Sequence, residues 1–426
     1  MVYGFDPVDQ KKLWEYNLYA PGTTQTPAVG QVMPDRDGNL QLLYQDGWSL
    51  KLGQASVVEA SYVCLLTRNG LVALDPVKGT QLWIKSDVNS TRTQIFGDEQ
   101  YVYLLDLGND GAVTSANKAV RASDGVSVQV PDFAEAYGWK TASLGRTILV
   151  HDASPDAAVG GNLVRLRLYD VLTGKDLWKK EFPAGSVVLK SEAPELGGAV
   201  DPEGNVTLYD LRSRRVALSA VVEKKHLEKL QDAWVFADRD QFYLALNRAT
   251  DPNANNGVLP SVMAGIRCLP VNGEVYAFNR ASGKLNWHND APHQMLVLEQ
   301  FRDLPILLFA AREWNNQGVP VPQPRNAQPP IKVLSFHKVT GKRKCDDTLQ
   351  NTQNFHALVA NPKAGIIDLV SSNAKLRHTL QPEEVKSSAE NKAPSTAGEG
   401  GQASSAPEAI PAPVARPAPA DPFKKE

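Results

Sequence analysis

A nine-residue pattern recurs along this chain of 426 residues, with aspartate or asparagine first, glycine fifth and tryptophan ninth. Three copies are complete, and a fourth, at the start of the chain, has glutamine in place of glycine. The defining residues are Asp75, Gly79 and Trp83; Asp170, Gly174 and Trp178; Asn279, Gly283 and Trp287; and Asp6, Gln10 and Trp14. A spaced repeat of this kind decides the fold before any other feature of a sequence does.

Each copy predicts a β-hairpin. Alternating apolar residues precede the first pattern residue, as expected of a half-buried strand. The short aspartate or asparagine side chain can accept hydrogen bonds from backbone N–H groups two residues on, which fixes a turn. Glycine permits the positive φ that such a turn requires. A second strand then follows and ends on the tryptophan, so the unit is a hairpin with a large aromatic side chain at its far end.

Three further copies keep the spacing but have lost the tryptophan. They are Arg121, Gly125 and Gln129; Asp210, Arg214 and Leu218; and His337, Gly341 and Cys345. Because Cys345 occupies a tryptophan position, we predict a small buried hydrophobe there rather than a reactive thiol. The alternative, a hairpin-rich β-sandwich with chance similarity, would need the same spacing to arise independently several times.

The pattern resembles the tryptophan-docking repeat of the pyrroloquinoline-quinone-like (PQQ-like) β-propellers, over roughly residues 2–380. The resemblance implies four-stranded blades in which the hairpin forms the third and fourth strands and the tryptophan packs between neighbouring blades. It favours a non-catalytic branch similar in architecture to the bacterial outer-membrane-assembly lipoprotein propeller. The motif is specific for the fold and much less so for function.

The predicted fold is therefore an all-β propeller, with eight blades favoured and seven as the alternative. Seven hairpins centre near residues 10, 79, 125, 174, 214, 283 and 341, and residues 26–53 could supply a further, degenerate blade. The chain begins inside a repeat, whereas residues 355–380 contain two alternating apolar strands without a hairpin after them. We expect these strands to share one blade with residues 2–16, which would close the ring and remove exposed sheet edges.

Composition divides the chain into a propeller at residues 1–381 and a tail at residues 382–426 that is rich in proline, alanine and serine. Such a tail cannot bury enough apolar surface to offset its ordering entropy and is predicted to be disordered, as a solvated extension or as a spacer or ligand for a partner domain. No run approaches the roughly 18 apolar residues of a membrane span. The net charge of −2 argues against nucleic acid as the main partner.

Localisation follows only from the resemblance, which implies the bacterial cell envelope, either periplasm or surface. No signal peptide is evident, and the start of the chain within a repeat predicts a truncation or a preceding segment. Three cysteines, Cys64, Cys268 and Cys345, do not make a disulfide framework and fall in separate predicted blades. We expect a monomer.

Four insertions lie between predicted second and third strands, on the face opposite the hairpin turns: residues 108–117, 152–162, 247–273 and 312–330. Long loops gathered on one face of a rigid scaffold are a common binding surface. Aromatic and arginine side chains are favoured contact anchors, and the candidates are Met263, Arg312, Trp314 and Arg325. A helix-like stretch at residues 223–232 should lie on the same face, with Leu227 and Leu230 toward the propeller.

The favoured function is a non-catalytic scaffold or protein-binding module, with no cofactor and no metal. A PQQ-dependent dehydrogenase-like enzyme is one alternative, and a sensor or interaction domain of a larger exported bacterial protein is another. Quinone enzymes of this family hold calcium with converging oxygen ligands. No such cluster is evident here, and the adjacent cysteine pair of many of these enzymes is missing.

The remaining candidates for chemistry are weak. Aspartates at positions such as Asp152, Asp156 and Asp251 lie in predicted loops, where aspartate usually forms turns. His288 and His293 lack sequence neighbours at metal-ligand spacing, so both are predicted to be surface or capping residues. The sequence contains neither a nucleophile elbow nor a phosphate-binding loop motif.

Overall fold

The computed structural model describes residues 2–6, 8–9, 11–16, 31–34, 40–43, 49–51, 57–67, 70–88, 93–108, 112–156, 161–249, 268–298, 304–312, 329–361 and 364–379. These residues form antiparallel sheets that repeat along the chain, several of them four-stranded. The predicted all-β propeller architecture with four-stranded blades is confirmed. The tail at residues 382–426 and the candidates Met263, Trp314, Arg325 and Asp251 lie outside the described residues.

The described residues up to 129 contain one hairpin, a three-stranded sheet and two four-stranded sheets. The hairpin is β1 (Val2–Asp6) and β2 (Lys11–Tyr16), followed by β3 (Gln31–Pro34), β4 (Leu40–Leu43) and β5 (Ser49–Lys51). The four-stranded sheets are β6 (Val57–Val58), β7 (Val63–Thr67), β8 (Gly70–Leu74) and β9 (Gln81–Lys85), then β10 (Thr93–Gly97), β11 (Tyr101–Leu107), β12 (Val113–Arg121) and β13 (Ser127–Gln129).

The following strands continue the same order, after a short helix α1 (Ala134–Gly138). The next sheet is β14 (Lys140–Leu144), β15 (Thr147–Asp156), β16 (Gly161–Asp170) and β17 (Lys175–Phe182). It is followed by β18 (Val187–Ser191), β19 (Leu196–Val200), β20 (Asn205–Asp210) and β21 (Arg215–Val221), and by β22 (Leu230–Ala237), β23 (Gln241–Arg248), β24 (Cys268–Asn279) and β25 (Leu285–Val297). The last strands are β26 (Ile306–Arg312), β27 (Ile331–His337) and β28 (Arg343–Leu349), then β29 (Phe355–Asn361), β30 (Ile366–Ser371) and β31 (Lys375–Thr379).

Two inter-sheet links join β18 to β28 into one hydrogen-bonded sheet of 11 strands. The first link is parallel and pairs β18 with β22 from Leu189 to Ser191. The second is the long strand β25, which pairs with β24 and then meets β26 at Leu296 opposite Phe309. The end of β25 thereby acts as the inner strand for β26, β27 and β28.

The turns of the repeat hairpins form as the pattern predicts. The Asp75 carboxylate Oδ1 accepts hydrogen bonds from the backbone N–H groups of Val77 and Lys78, both at 2.8 Å. The Gly79 N–H donates to the Asp75 carbonyl at 2.9 Å, which closes the turn. Equivalent side-chain contacts occur at Asp6, Asp170, Asp210 and Asn279.

The four tryptophans of the repeat contact the next hairpin along the chain. In three cases the indole Nε1 donates to the carbonyl one residue after the first pattern residue of that hairpin: Trp14 to Pro76 (2.8 Å), Trp83 to Ala122 (2.7 Å) and Trp287 to Lys338 (2.6 Å). Trp178 instead packs edge-on against Tyr209, with ring centroids 5.0 Å apart. One turn therefore fixes both its own hairpin and the position of the preceding sheet.

Buried apolar clusters lie between consecutive sheets. One of them combines Cys64 and Ala73 of one sheet with Val102 and Val120 of the next. Cys345 is buried in the cluster that joins the last sheets, as predicted for its tryptophan position. Burial raises the pKa of the Cys345 thiol to about 12, which leaves it protonated at neutral pH.

The C-terminal strands differ from the prediction. In the described part of the chain, β1 and β2 pair with each other, and β29, β30 and β31 form a separate three-stranded sheet. The strand next to β30 is therefore β31 rather than a strand of residues 2–16. Strand β31 is held there by its backbone ladder with β30, and Arg377 and Lys375 add contacts to the buried carboxylate of Asp368 at 2.8 Å.

Acid is expected to weaken this terminal sheet. Hydrogen bonds from Arg377 and Lys375 hold the pKa of Asp368 well below its usual value. A depressed carboxyl pKa contributes stability above the unfolded-state pKa and loses it as pH falls toward the folded-state pKa. The wild type should thus melt at a higher temperature than Asp368→Asn at pH 6, and this difference should shrink from about pH 4 downward. A difference that stays constant to pH 2 would contradict the ion-pair explanation.

Candidate functional site

The four insertions leave the scaffold from equivalent positions. They connect β11 to β12, β15 to β16, β23 to β24, and β26 to β27. Each connection joins antiparallel partners in the middle of a sheet, one strand before the repeat hairpin. Because consecutive turns of an antiparallel meander alternate between the two ends of the strands, the chain enters each insertion at the end opposite the hairpin turns.

The base of the second insertion is held by an ion-pair network. Asp152 accepts hydrogen bonds from Arg165 Nε at 2.6 Å and from Arg167 Nε at 2.8 Å. Arg167 also donates to Asp176 at 2.9 Å, across to the fourth strand. Burial alone would raise the pKa of Asp152, but the two arginines outweigh it and lower that pKa. Asp152 and Asp156 were predicted to be loop turn formers, but both lie in strand β15, whose backbone ladder with β16 runs on to Asp156 opposite Gly161.

An amide side chain fixes the base of the third insertion. Asn247 Nδ2 donates to the Asp232 carboxylate at 2.8 Å and to the Pro270 carbonyl at 3.0 Å. Its Oδ1 accepts from the Asn272 backbone N–H at 2.8 Å, and Asn272 Nδ2 donates to the Arg248 carbonyl at 3.0 Å. The strands that enter and leave this insertion are thereby tied together before the loop begins.

Arg312, a predicted partner-contact residue, lies at the base of the fourth insertion rather than on its surface. Its guanidinium is buried and donates to the Pro329 carbonyl at 2.6 Å, the Thr352 carbonyl at 3.1 Å and the Asn354 Oδ1 at 2.7 Å. The side chain therefore ties the two ends of the insertion to the following turn. The sequence did not reveal this role, because an arginine before a long loop gives no local signal that its side chain is buried rather than exposed.

A second group of polar side chains lies between two neighbouring sheets, and we name it the His–Glu cluster. It consists of Glu223, His226, Glu274, Tyr276 and His288. Glu223 and His226 belong to the link from β21 to β22, which contains a 3₁₀ helix at Lys224–Leu227. Glu274 and Tyr276 lie on one face of β24, and His288 pairs directly with Tyr276 from β25.

The His–Glu cluster corrects the prediction that His288 lacks partners at metal-ligand spacing. Ligand atoms of Glu223, His226 and His288 all lie within 4.8 Å of one another. The His288 Nε2 is 3.3 Å from Glu223 Oε1, and its Nδ1 is 3.3 Å from Glu274 Oε2. His293 lies apart from this group and is half-buried, and burial lowers its pKa.

The helix in the link that carries Glu223 and His226 is shorter than the helix-like stretch predicted at residues 223–232. The 3₁₀ helix ends at Leu227, and strand β22 begins at Leu230. Lys229 adopts φ 58°, a left-handed conformation that stops a right-handed helix. As predicted, Leu227 and Leu230 both pack against a buried cluster of the scaffold.

No protein-family model and no curated protein matches this chain. Solved structures with which it aligns include BamB from Moraxella catarrhalis, at 15% identity, 82% of this chain, 91% of that chain and a TM-score of 0.31. Another is the WD40 domain of SCAP from fission yeast, at 9% identity over 79% of this chain and 88% of that domain, with a TM-score of 0.36. The computationally designed Ika8 protein aligns at 10% identity over 76% of this chain and 95% of the designed chain, with a TM-score of 0.30. The fold assignment rests on the strand pairing described above, since superpositions this loose add no weight.

In the described part of the chain, no helix has the length and apolar character needed to cross a membrane.

Proposed function

We propose that this chain is a non-catalytic protein-binding scaffold whose partner docks on the face that carries the four insertions. The observation that carries the proposal is that all four insertions connect the same two strands of the repeat, the strand before the repeat hairpin and the first strand of that hairpin. Variable loops that leave one end of a rigid scaffold form a single surface, which is how many binding proteins are built.

Rigid loop bases support the same proposal. The Asp152 ion pairs, the Asn247 amide and the Arg312 guanidinium each fix the chain where an insertion begins or ends. Fixing the ends of a loop reduces the conformational entropy that binding would otherwise remove. The loops can therefore vary in sequence, and hence in partner, without disturbing the sheets beneath them.

We further propose a ring of seven repeat hairpins. Trp14 donates directly to the Pro76 carbonyl in the turn between β8 and β9. The same step from one hairpin to the next recurs at Trp83 and Trp287. In this proposal the propeller spans residues 1–381, residues 382–426 form a disordered tail, the chain is a monomer, and it acts in the bacterial cell envelope.

Loop exchange tests the binding face. Residues 250–266 would be replaced by a short Gly-Ser linker that leaves Asn247 and Asn272 in place, and partners would be captured quantitatively from envelope extracts with purified full-length protein. We expect the partner bound by the wild type to be lost while the melting temperature stays unchanged, since the polar contacts at the loop base remain.

The matched control alters the opposite face. Val77 and Lys78 lie in an exposed hairpin turn, and Val77→Asp with Lys78→Glu changes that face with little effect on the fold. This variant should retain the partner. Loss of the partner in the hairpin variant, with retention in the loop variant, would place the binding surface on the wrong face.

A further inference from the structure

We propose that Glu223, His226 and His288 form a binding site for a divalent first-row transition-metal ion such as zinc. In this site Glu274 and Tyr276 orient the two imidazoles. The proposal is independent of the scaffold function above, because it concerns side chains between two sheets rather than the inserted loops. It rests on four features: ligand spacing, imidazole orientation, solvent access and ligand chemistry.

The ligand spacing suits a small tetrahedral ion. Zinc bonds of about 2.0–2.1 Å at tetrahedral angles place neighbouring ligand atoms about 3.3 Å apart. His288 Nε2 and Glu223 Oε1 are already 3.3 Å apart. All three ligand atoms fall within 4.8 Å of one another, so the other two separations need to shorten by no more than about 1.5 Å to reach the tetrahedral value.

Both imidazoles have a partner on Nδ1, which leaves Nε2 for the metal. The Nδ1 of His288 is 3.3 Å from Glu274 Oε2, and the Nδ1 of His226 is 2.5 Å from the Tyr276 hydroxyl. A proton on each Nδ1 can be donated to these oxygens, because a hydroxyl oxygen and a carboxylate both accept hydrogen bonds. Histidines that bind metals usually make such an outer contact, which fixes their tautomer and ring orientation.

The cluster combines a rigid interior with an open exterior. His226 and Glu274 are almost fully buried, whereas the side chains of Glu223 and His288 remain 47% and 35% exposed. Lys225 contacts Glu223 Oε2 at 2.6 Å, so Oε1 stays directed at His288. Three protein ligands with access to solvent leave a fourth position for water or an external ligand.

The ligand set selects the class of ion. Two imidazole nitrogens and one carboxylate suit zinc and its first-row neighbours. Calcium instead takes six to eight oxygen ligands, whereas two of the three ligands here are imidazole nitrogens.

Metal titration of the purified full-length chain tests the site. Zn²⁺ would be followed by calorimetry, and Co²⁺ by visible absorption, which distinguishes tetrahedral from octahedral coordination. We expect one tight ion per chain, tetrahedral cobalt bands, and no displacement of Co²⁺ by excess Ca²⁺ or Mg²⁺. Absence of a stoichiometric ion in the wild type, or displacement by Ca²⁺, would overturn the proposal.

Variants separate this site from other surface histidines. Glu223→Gln is exposed and should fold normally while losing the tetrahedral cobalt bands, and His288→Gln should abolish stoichiometric binding. Glu274→Gln is expected to weaken Zn²⁺ affinity by about 10–100-fold through the His288 imidazole. The control His293→Asn keeps a residue that tolerates the φ of 52° at that position and should bind like the wild type. Equal Zn²⁺ affinity in the wild type, Glu223→Gln and His288→Gln would overturn the proposal.

Discussion

Replacement of Trp287 by alanine is expected to lower the free energy of unfolding by about 3–5 kcal/mol, the range for truncation of a large buried aromatic side chain. Trp287 is 7% exposed and packs against Tyr243 and Phe336. Its Nε1 donates to the Lys338 carbonyl, which also accepts a hydrogen bond from Gln241 Nε2 at 2.8 Å. Since that carbonyl keeps one donor in the variant, the loss comes mainly from packing.

Denaturant unfolding measures this effect, and the same strand supplies its control. Leu285 lies two residues before Trp287 in β25 and is 47% exposed. Leu285→Ala should change stability by no more than about 0.5–1 kcal/mol. Similar losses for the two variants would show that the tryptophan contact does not hold the neighbouring sheets together.

A methyl group at Gly341 is expected to lower the free energy of unfolding by about 2–5 kcal/mol, from two separate causes. Gly341 has φ 68°, and a side chain in this left-handed region costs about 1–2 kcal/mol. A Cβ atom there would also lie 2.5 Å from Trp287 Cγ, which forces repacking at about 1–3 kcal/mol.

Gly283 isolates the first cause from the second. It has φ 69° in the equivalent turn, but its nearest neighbour would be the Ser219 carbonyl oxygen at 3.5 Å, an ordinary contact. Gly283→Ala should therefore show only the conformational loss, measured by the same denaturant method. In the double variant Trp287→Ala with Gly341→Ala the clash is gone, so the combined loss should fall below the sum by about 1–3 kcal/mol. Simple additivity would contradict a direct contact between the two positions.

The hairpins could be predicted from the sequence because their information is local. An aspartate four residues before a glycine defines its own turn, and the spacing survives where the glycine is lost. Arg214 adopts φ 59° at the glycine position of its copy, with the Asp210 side chain still bonded to the Ser213 N–H. Local hydrogen bonds of this kind join residues only a few positions apart, so the residues that form them recur at a fixed spacing that can be read from the sequence.

The His–Glu cluster could not be predicted in the same way because it depends on long-range packing. Glu223 and His226 reach His288 only because the link between β21 and β22 crosses onto the next sheet. Part of the signal was present: the register of the Asn279 hairpin places Tyr276 opposite His288. The third strand of the terminal sheet was missed for a related reason, since Lys375 and Arg377 meet their partner Asp368 only once β31 pairs with β30.

The links at β18–β22 and β25–β26 divide the scaffold into parts that should open differently. Backbone pairing connects the 11 strands from β18 to β28, through Leu189–Ser191 at the first link and Leu296 with Phe309 at the second, whereas the described sheets before β18 are hydrogen-bonded only within themselves. Fluctuations can separate two sheets joined by side chains without breaking any ladder, but not two sheets that share one. Amide protons of the second part are thus expected to exchange with solvent as one cooperative unit, while the earlier sheets exchange individually. The sheets from β18 to β28 should therefore form the stiffest part of the described scaffold.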